Sequence, residues 1–417
     1  MKKDLLELSI RGVDGKTRSL IEKRPEYRRW VTFEGAKHKP VYNWFHYKEG
    51  FSPQLVWGLL DEMGLGEGAR VIDPFCGTGT TLLACRERNV SSLGVDVLPL
   101  SVYVSNTKLQ CDYDMELLAE QIRRLLSAKY DRKKRRWPEI RFFNVKKAMS
   151  RYAYSDILFY REKIMEVEEE DIRNFLFLGL LSIVIGCSNI KKDGGVLKIK
   201  KREHVPPVTV LLKNRLKKMY ADLQKGGLEC GAEAKAVLGD ARDLPVDDEL
   251  FDGCISSPPY LNWVDYTKVY ALELSLLLSS GRELRRLRKQ TLKSHVGSGG
   301  GGANKVDSPL LYGLMDALEI KGDTRKNPQV VLDYFTDLAS CLSSLYNSLR
   351  EGAKVAFVLS NTCLPSQTID VDLITAEISE NQGFNVKKIL VSNTRWCDVH
   401  GIIKERPVRE SIVLCEK

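Results

Sequence analysis

Glutamine is scarce in this chain while Lys, Arg and Glu are plentiful, a balance that leans toward a heat-adapted source. No apolar run reaches the roughly 18 residues that span a bilayer. The longest uncharged one, Phe175 to Cys187, is too short and reads as a buried core helix. The start, Met1-Lys2-Lys3-Asp4, is charged and lacks the apolar stretch of a signal peptide, so a cytoplasmic protein with no membrane partner is expected. The 10 cysteines include no Cys-x-x-Cys pair and no cysteine/histidine cluster with metal-ligand spacing. That sets a metal site aside and predicts reduced, buried thiols, Cys254, Cys341 and Cys415 among them. There is no internal repeat.

What is present is room for a core and an excess of positive charge. With 417 residues and 43% hydrophobic content, one large domain with insertions or two domains can form. The net charge of +9 suits a partner with a phosphate backbone. The basic residues gather in three places. Arg132 to Arg136 precede Trp137, Arg141-Phe142-Phe143 and Lys146-Lys147; Lys191, Lys192, Lys198, Lys200, Lys201 and Arg202 form a second group; Arg282, Arg285, Arg286, Arg288, Lys289 and Lys293 form a third. A charged run is often only a solvated face, but three outside the apolar strands point to nucleic acid. Arg135, Arg136, Trp137 and Lys192 are the candidate contacts.

Short apolar strands alternate with helical patterns. Ala69–Ile72, Ser92–Val95, Ala236–Leu238, Gly253–Ile255 and Lys354–Leu359 read as strands, followed by Phe384–Val391 and Ser411–Cys415 with no helix between them. This predicts an α/β fold: a doubly wound, Rossmann-like, seven-stranded sheet with an antiparallel last strand. The core occupies residues 51–110, 230–265 and 350–417, after a basic, aromatic N-terminal segment over 1–50. Two connections are too long for crossovers and read as mainly helical insertions, 111–229 as a substrate wall or cap and 266–349 around a flexible Gly297–Ala303 loop.

A strand ending at Asp73 runs into Pro74-Phe75-Cys76-Gly77-Thr78-Gly79-Thr80, a turn that leads into a helix. Gly77 and Gly79 let the backbone approach a ligand, and Asp96 ends the next strand where a carboxylate can accept from two ribose hydroxyls. Leu82 stands where a dinucleotide fingerprint has its third glycine, and no Gly-Lys-Ser/Thr occurs, so phosphates are not expected. A ligand with ribose and adenine but no phosphate fits better, namely S-adenosylmethionine. Its methionine end falls to Asp73, Pro74, Phe75, Gly77, Gly79 and Thr80, its ribose to Asp96, and its adenine to Asp240 and Ala241. Ser52, after Phe51, either closes over the methionine part or caps the following helix.

Asp73-Pro74-Phe75-Cys76-Gly77-Thr78-Gly79-Thr80 and Ser257-Pro258-Pro259-Tyr260 together resemble the cofactor and catalytic motifs of nucleic-acid amino-methyltransferases. The serine form of the second motif is similar to the branch that methylates cytosine N4. The wider pattern resembles archaeal and bacterial DNA modification methylases, carried by Asn43-Trp44-Phe45, Lys48 to Ser52, Gly94-Val95-Asp96 with Pro99, Asp265-Tyr266 with Glu273-Leu274, and Arg409 to Ile412. These segments cover most of the core sheet, about half of the chain. The cofactor motif comes first here, whereas many cytosine-amino enzymes have the reverse order, so the resemblance does not assign a target-recognition module.

The chemistry suits the residues. A cytosine amino nitrogen is conjugated into its ring, and acceptors at its two N–H bonds favour the tetrahedral geometry that methyl transfer needs. Ser257 Oγ and the Pro258 carbonyl are those acceptors, Pro258 and Pro259 fix the turn, and Tyr260 offers a stacking face. Asn262, Trp263 and Tyr266 continue the loop, with Asn262 and Tyr266 as pocket candidates. A paired base must be flipped out or supplied unpaired. No Pro-Cys dipeptide occurs, which argues against a cysteine-mediated carbon-5 route. DNA stands slightly ahead of structured RNA as the polymer. Adenine N6, a glutamine or small-molecule amine, and a non-catalytic nucleic-acid binder remain as alternatives.

Overall fold

The computed structural model describes residues 5–10, 12–48, 50–131, 133–138, 140, 143–193, 195–226, 230–246, 250–278, 281–294, 306–320, 328–364, 367–397 and 406–417. The expected Gly297–Ala303 loop, and Arg132, Arg141 and Phe142 of the first basic run, lie outside the described residues. The strands are β1 (Ile21–Lys23), β2 (Arg70–Asp73), β3 (Ser91–Asp96), β4 (Ile190–Asp193), β5 (Val196–Ile199), β6 (Ala234–Leu238), β7 (Phe251–Ser256), β8 (Leu349–Ser360), β9 (Thr362–Cys363), β10 (Thr368–Ile369), β11 (Asn385–Cys397) and β12 (Arg406–Glu416).

The main sheet runs β1-β11-β12-β8-β7-β2-β3-β6. Strand β12 is antiparallel to both neighbours, and every other pair in the sheet is parallel. The expected doubly wound α/β sheet with an antiparallel last strand is therefore present, with one correction. It has eight strands, because Ile21–Lys23 of the N-terminal segment adds itself in parallel to the edge strand β11. A three-residue strand has no readable alternation, so only the sheet edge reveals it.

The aromatic N-terminal segment packs into the core. Tyr42, Trp44 and Phe45 are buried, and the Trp44 indole N–H donates to Asp222 at 2.9 Å. The first insertion carries the expected long helices, Glu170–Ile183 and Val208–Gln224, but also a hairpin, β4 with β5. That hairpin reaches the loop after β7: a side chain at Gly195 would sit 3.1 Å from the Trp263 carbonyl and Val264 Cα.

Two cysteine pairs are bonded, which corrects the expectation of reduced thiols throughout. Cys111 joins Cys230 and Cys363 joins Cys397, with Cα separations of 5.7 and 6.7 Å. Cys254, Cys341 and Cys415 are free and buried as expected. Among the described residues no helix is long and apolar enough to cross a membrane, and no His/Cys/Asp/Glu group is arranged to hold a metal.

Candidate active site

The order of strands reverses between β2 and β7, and their carboxyl ends open a crevice at that point. Ile72 pairs with Cys254, so Asp73 and Ser257 leave the sheet side by side from elements far apart in sequence. One cavity there is lined by Asp73 to Thr78 and Thr80, by Asp96, by Asp240 and Ala241, and by all four of Ser257, Pro258, Pro259 and Tyr260. Phe51 and Tyr266 complete its wall.

The turn after β2 is held from below. Asp73 accepts hydrogen bonds from Ser256 Oγ at 2.5 Å, Thr81 Oγ1 at 2.6 Å and the Phe75 amide at 3.1 Å. Strand alternation thus gives Ser256 to the turn and its neighbour Ser257 to the cavity. Burial pushes the Asp73 carboxyl up to about 6, against the pull of these three donors. Gly77 and Gly79 take φ of 52° and 76°. A Cβ at Gly79 would meet Ser105 Oγ at 2.9 Å, and one at Gly77 would press the Tyr47 ring at 3.3 Å. Gly79 shapes the turn without lining the cavity. Lys108, buried beneath, donates to the Thr78 carbonyl at 3.1 Å.

Asp96 accepts from the Gly77 amide at 3.0 Å and the Leu98 amide at 2.8 Å. Burial pushes it up to about 7, with those two amides opposing the shift. Ser101 is a further side-chain donor to Asp96, whose carboxylate lines the cavity. Asp240 is shared. Arg242 holds it in a fork, Nη2 to Oδ2 at 2.6 Å and Nε to Oδ1 at 2.9 Å, and also pairs with Asp337 at 3.1 Å. The cavity therefore offers the carboxylates of Asp73, Asp96 and Asp240, glycine-loop backbone, and apolar surface from Phe75, Val97, Leu98 and Leu292. That set matches a nucleoside with an amino-acid tail.

Several expected residues lie elsewhere. Ser52 does not line the cavity: its hydroxyl donates to the Trp30 carbonyl at 3.0 Å and makes no helix-cap bond. Asn262 turns inward and accepts from the Val264 amide at 3.2 Å. Trp137 is core, its indole N–H bonded to Ser275 Oγ at 2.7 Å. Arg135 is paired with Asp131 at 2.6 Å and Glu162 at 2.7 Å, and lies over the Phe159 ring. Lys192 is paired with buried Glu273 at 2.7 Å and sits 3.7 Å from the Tyr270 ring centre. Arg136 is exposed and is no part of the cavity lining. Trp137, Arg135 and Lys192 each bond a partner distant along the chain, Ser275, Glu162 and Glu273.

Residues that sequence reasoning passed over take their places. Tyr47 lines the cavity and is stacked between Tyr266, at 5.9 Å and 12°, and Tyr270, at 4.9 Å and 3°. The Tyr270 hydroxyl accepts from the Lys48 amide at 2.7 Å. Gln290, Thr291, Leu292 and Ser294 of the second insertion form the opposite wall. The four-residue spacing of Tyr266 and Tyr270 was the available signal for the stack; of residues 290–294 only Lys293, in the third basic group, was marked.

Fold and site together are those of an S-adenosylmethionine-dependent methyltransferase. The chain is similar to type II methyltransferases. It is 27% identical to type II methyltransferase M.BsoBI of Geobacillus stearothermophilus, over 88% of this chain and 83% of that one. It is 29% identical to type II methyltransferase M.AvaI of Nostoc sp., over 88% and 84%. A shorter stretch of 85 residues is 39% identical to type II methyltransferase M.MjaII of Methanocaldococcus jannaschii, covering 20% of this chain and 16% of that one. No family model matches the chain.

Proposed function

We propose that this protein methylates the exocyclic N4 amino group of cytosine in DNA. The observation that carries the reading is that Ser257, Pro258, Pro259 and Tyr260 face the same cavity as Asp73 to Thr78, Thr80 and Asp96. The likeness to type II methyltransferases across 88% of the chain supports DNA as the polymer.

When bound, S-adenosylmethionine supplies an electrophilic sulfonium methyl. Asp96 accepts from the ribose hydroxyls, and Asp240 shares its carboxylate between Arg242 and the adenine amino group. Ser257 Oγ and the Pro258 carbonyl oxygen accept the two amino N–H bonds of a flipped-out cytosine, turning the nitrogen lone pair toward the glycine loop. Pro258 and Pro259 keep that carbonyl out of any sheet ladder, and Tyr260 stacks on the base. A proton leaves for water once the nitrogen has become cationic, so the site needs orientation rather than a strong base.

The test is mass-spectrometric nucleoside analysis of unmodified genomic DNA and total RNA, each incubated with protein and cofactor. N4-methylcytosine in DNA supports the reading. N6-methyladenine, product confined to RNA, or no product overturns it.

A further inference from the structure

Two of the three basic groups in the sequence are partly committed to partners within the molecule, although Lys134, Arg136, Lys146, Lys147, Lys191, Lys200 and Lys201 stay exposed. In the first, Arg135 is paired with Asp131 and Glu162, and Lys133 reaches Glu162 at 3.4 Å. In the second, Lys192 holds Glu273, Lys198 holds Asp193 at 2.9 Å, and Arg202 donates to the Gly186 and Ser188 carbonyls. The third behaves differently. It forms the helix Gly281–Gln290, whose apolar side is Leu284 and Leu287, both buried. Of its cations, Arg288 pairs with Asp265 at 2.6 Å. Arg282, Arg285, Arg286 and Lys289 are exposed and have no ion-pair partner among the described residues.

Several pairings within this helix are unfavourable for the protein alone, although Glu283 stands in its first turn and Arg288 and Lys289 in its last. Arg282 stands in the first turn, where the helix dipole disfavours a cation. Arg282 with Arg285 and Arg286, and Arg285 with Arg288 and Lys289, are like charges at three- and four-residue spacing, which destabilise a helix. The helix is nonetheless fixed to the cavity at two points. Arg288 holds Asp265, whose backbone neighbours lead back to Ser257–Tyr260, and Arg242 donates to the Gln290 carbonyl at 2.8 Å while gripping Asp240. Residues Gln290 to Leu292 then continue directly into the cavity wall.

We infer that the helix Gly281–Gln290 is the surface that tracks the phosphate backbone of the strand whose base enters the cavity. Arg282, Arg285, Arg286 and Lys289 take its phosphates. Charge complementarity selects the partner, because a polyanion relieves the repulsion that the helix otherwise carries. The two anchors set the distance between the bound backbone and Tyr260. The inference rests on the reading of DNA as substrate.

The test uses full-length protein in which Arg282, Arg285, Arg286 and Lys289 are all replaced by Gln. Binding to a fluorescent DNA duplex is followed by anisotropy across a salt series. Each phosphate contact contributes about 0.9 to the slope of log affinity against log salt, so the four-fold variant loses about 3 to 4 of that slope. Its affinity falls at least ~10-fold at the low-salt end of the series. Its binding of S-adenosylhomocysteine by calorimetry stays within about twofold, which reports an intact fold. The control, Arg123→Gln with Arg124→Gln on the exposed side of the helix Met115–Ser127, keeps the wild-type slope. An unchanged slope in the four-fold variant overturns the inference, as does an equal loss in the control. Wild-type protein that binds DNA and yields N6-methyladenine, with the slope lost in the variant, sustains this surface and sinks only the base assignment. Wild-type protein with no salt-dependent DNA binding removes both.

Discussion

Two adjacent serines divide the work at the end of β7. Ser256 is committed to Asp73 and Ser257 to the cavity. Ser257→Ala is therefore expected to lower kcat by about 10²–10³, the scale for losing one transition-state acceptor or donor, with affinity for S-adenosylhomocysteine within about twofold of wild type. Ser256→Ala should instead weaken cofactor binding, since it frees the turn; single-turnover kinetics and calorimetry separate the two. Asp96 makes a pH prediction. Its carboxyl is held up to about 7 by burial. The ionised form, with both oxygens acceptors only, takes two ribose hydroxyl donors better than the protonated form, in which one oxygen carries a proton. Affinity for S-adenosylhomocysteine should fall up to ~10-fold per pH unit below about 7 and become flat in Asp96→Asn. The stability sign is opposite. The unliganded protein binds more protons at Asp96 than the unfolded chain between pH 3.8 and about 7, so this contribution favours folding at low pH and is lost as pH rises. Asp96→Asn should accordingly melt higher than wild type at pH 8 in the absence of cofactor, by differential scanning fluorimetry. Asp73, Asp96 and the Ser257 motif were legible as residues, because each ends a short apolar run. Lys192, Trp137 and Arg135, read as candidate contacts, are bonded to Glu273, Ser275 and Glu162, and nothing beside them along the chain discloses those partners.

Among the elements, β12 is the antiparallel strand between β8 and β11, and it carries a buried charge. Arg409 and Asp372 are both fully buried and paired at 2.8 Å, with Ser411 donating to the same carboxylate at 2.7 Å. Arg409 also donates to the Ser9 carbonyl, which fastens the helix Leu5–Ser9 over the sheet edge. Asp372→Ala leaves a buried guanidinium short of its counter-charge and should destabilise the fold by about 3–5 kcal/mol in chemical denaturation. Cys111 and Cys230 stand at the two ends of the first insertion, 119 residues apart. Closing so long a loop is worth about 2–4 kcal/mol through the unfolded chain. Replacing both by Ser, or adding a thiol reductant, should lower the melting temperature while methyl transfer below that temperature persists. Helix periodicity made Glu170–Ile183 and Val208–Gln224 legible. The β4–β5 hairpin was not, since its alternating Ile, Lys and Leu resemble any basic loop.

For the molecule as a whole, the cavity joins segments around residues 50, 75, 96, 240, 258 and 291. A ligand bound there ties the N-terminal segment and residues 290–294 to the core. S-adenosylhomocysteine at ~100 times its Kd should therefore add about 2.7 kcal/mol and raise the melting temperature by a few degrees, and Asp96→Asn should abolish the rise. The sequence by itself determined the strands, the parallel order and the two motifs, because strand burial and turn chemistry are local properties with their own residue signatures. Only the tertiary structure decided that the N-terminal segment supplies an eighth strand, that Tyr47 is clamped between Tyr266 and Tyr270, and that four cysteines are paired. It alone decided which basic side chains are paired. Whether a cation is spent or available depends on the acid that folding brings within about 3 Å of it, and that pairing has no trace in the residues beside it along the chain.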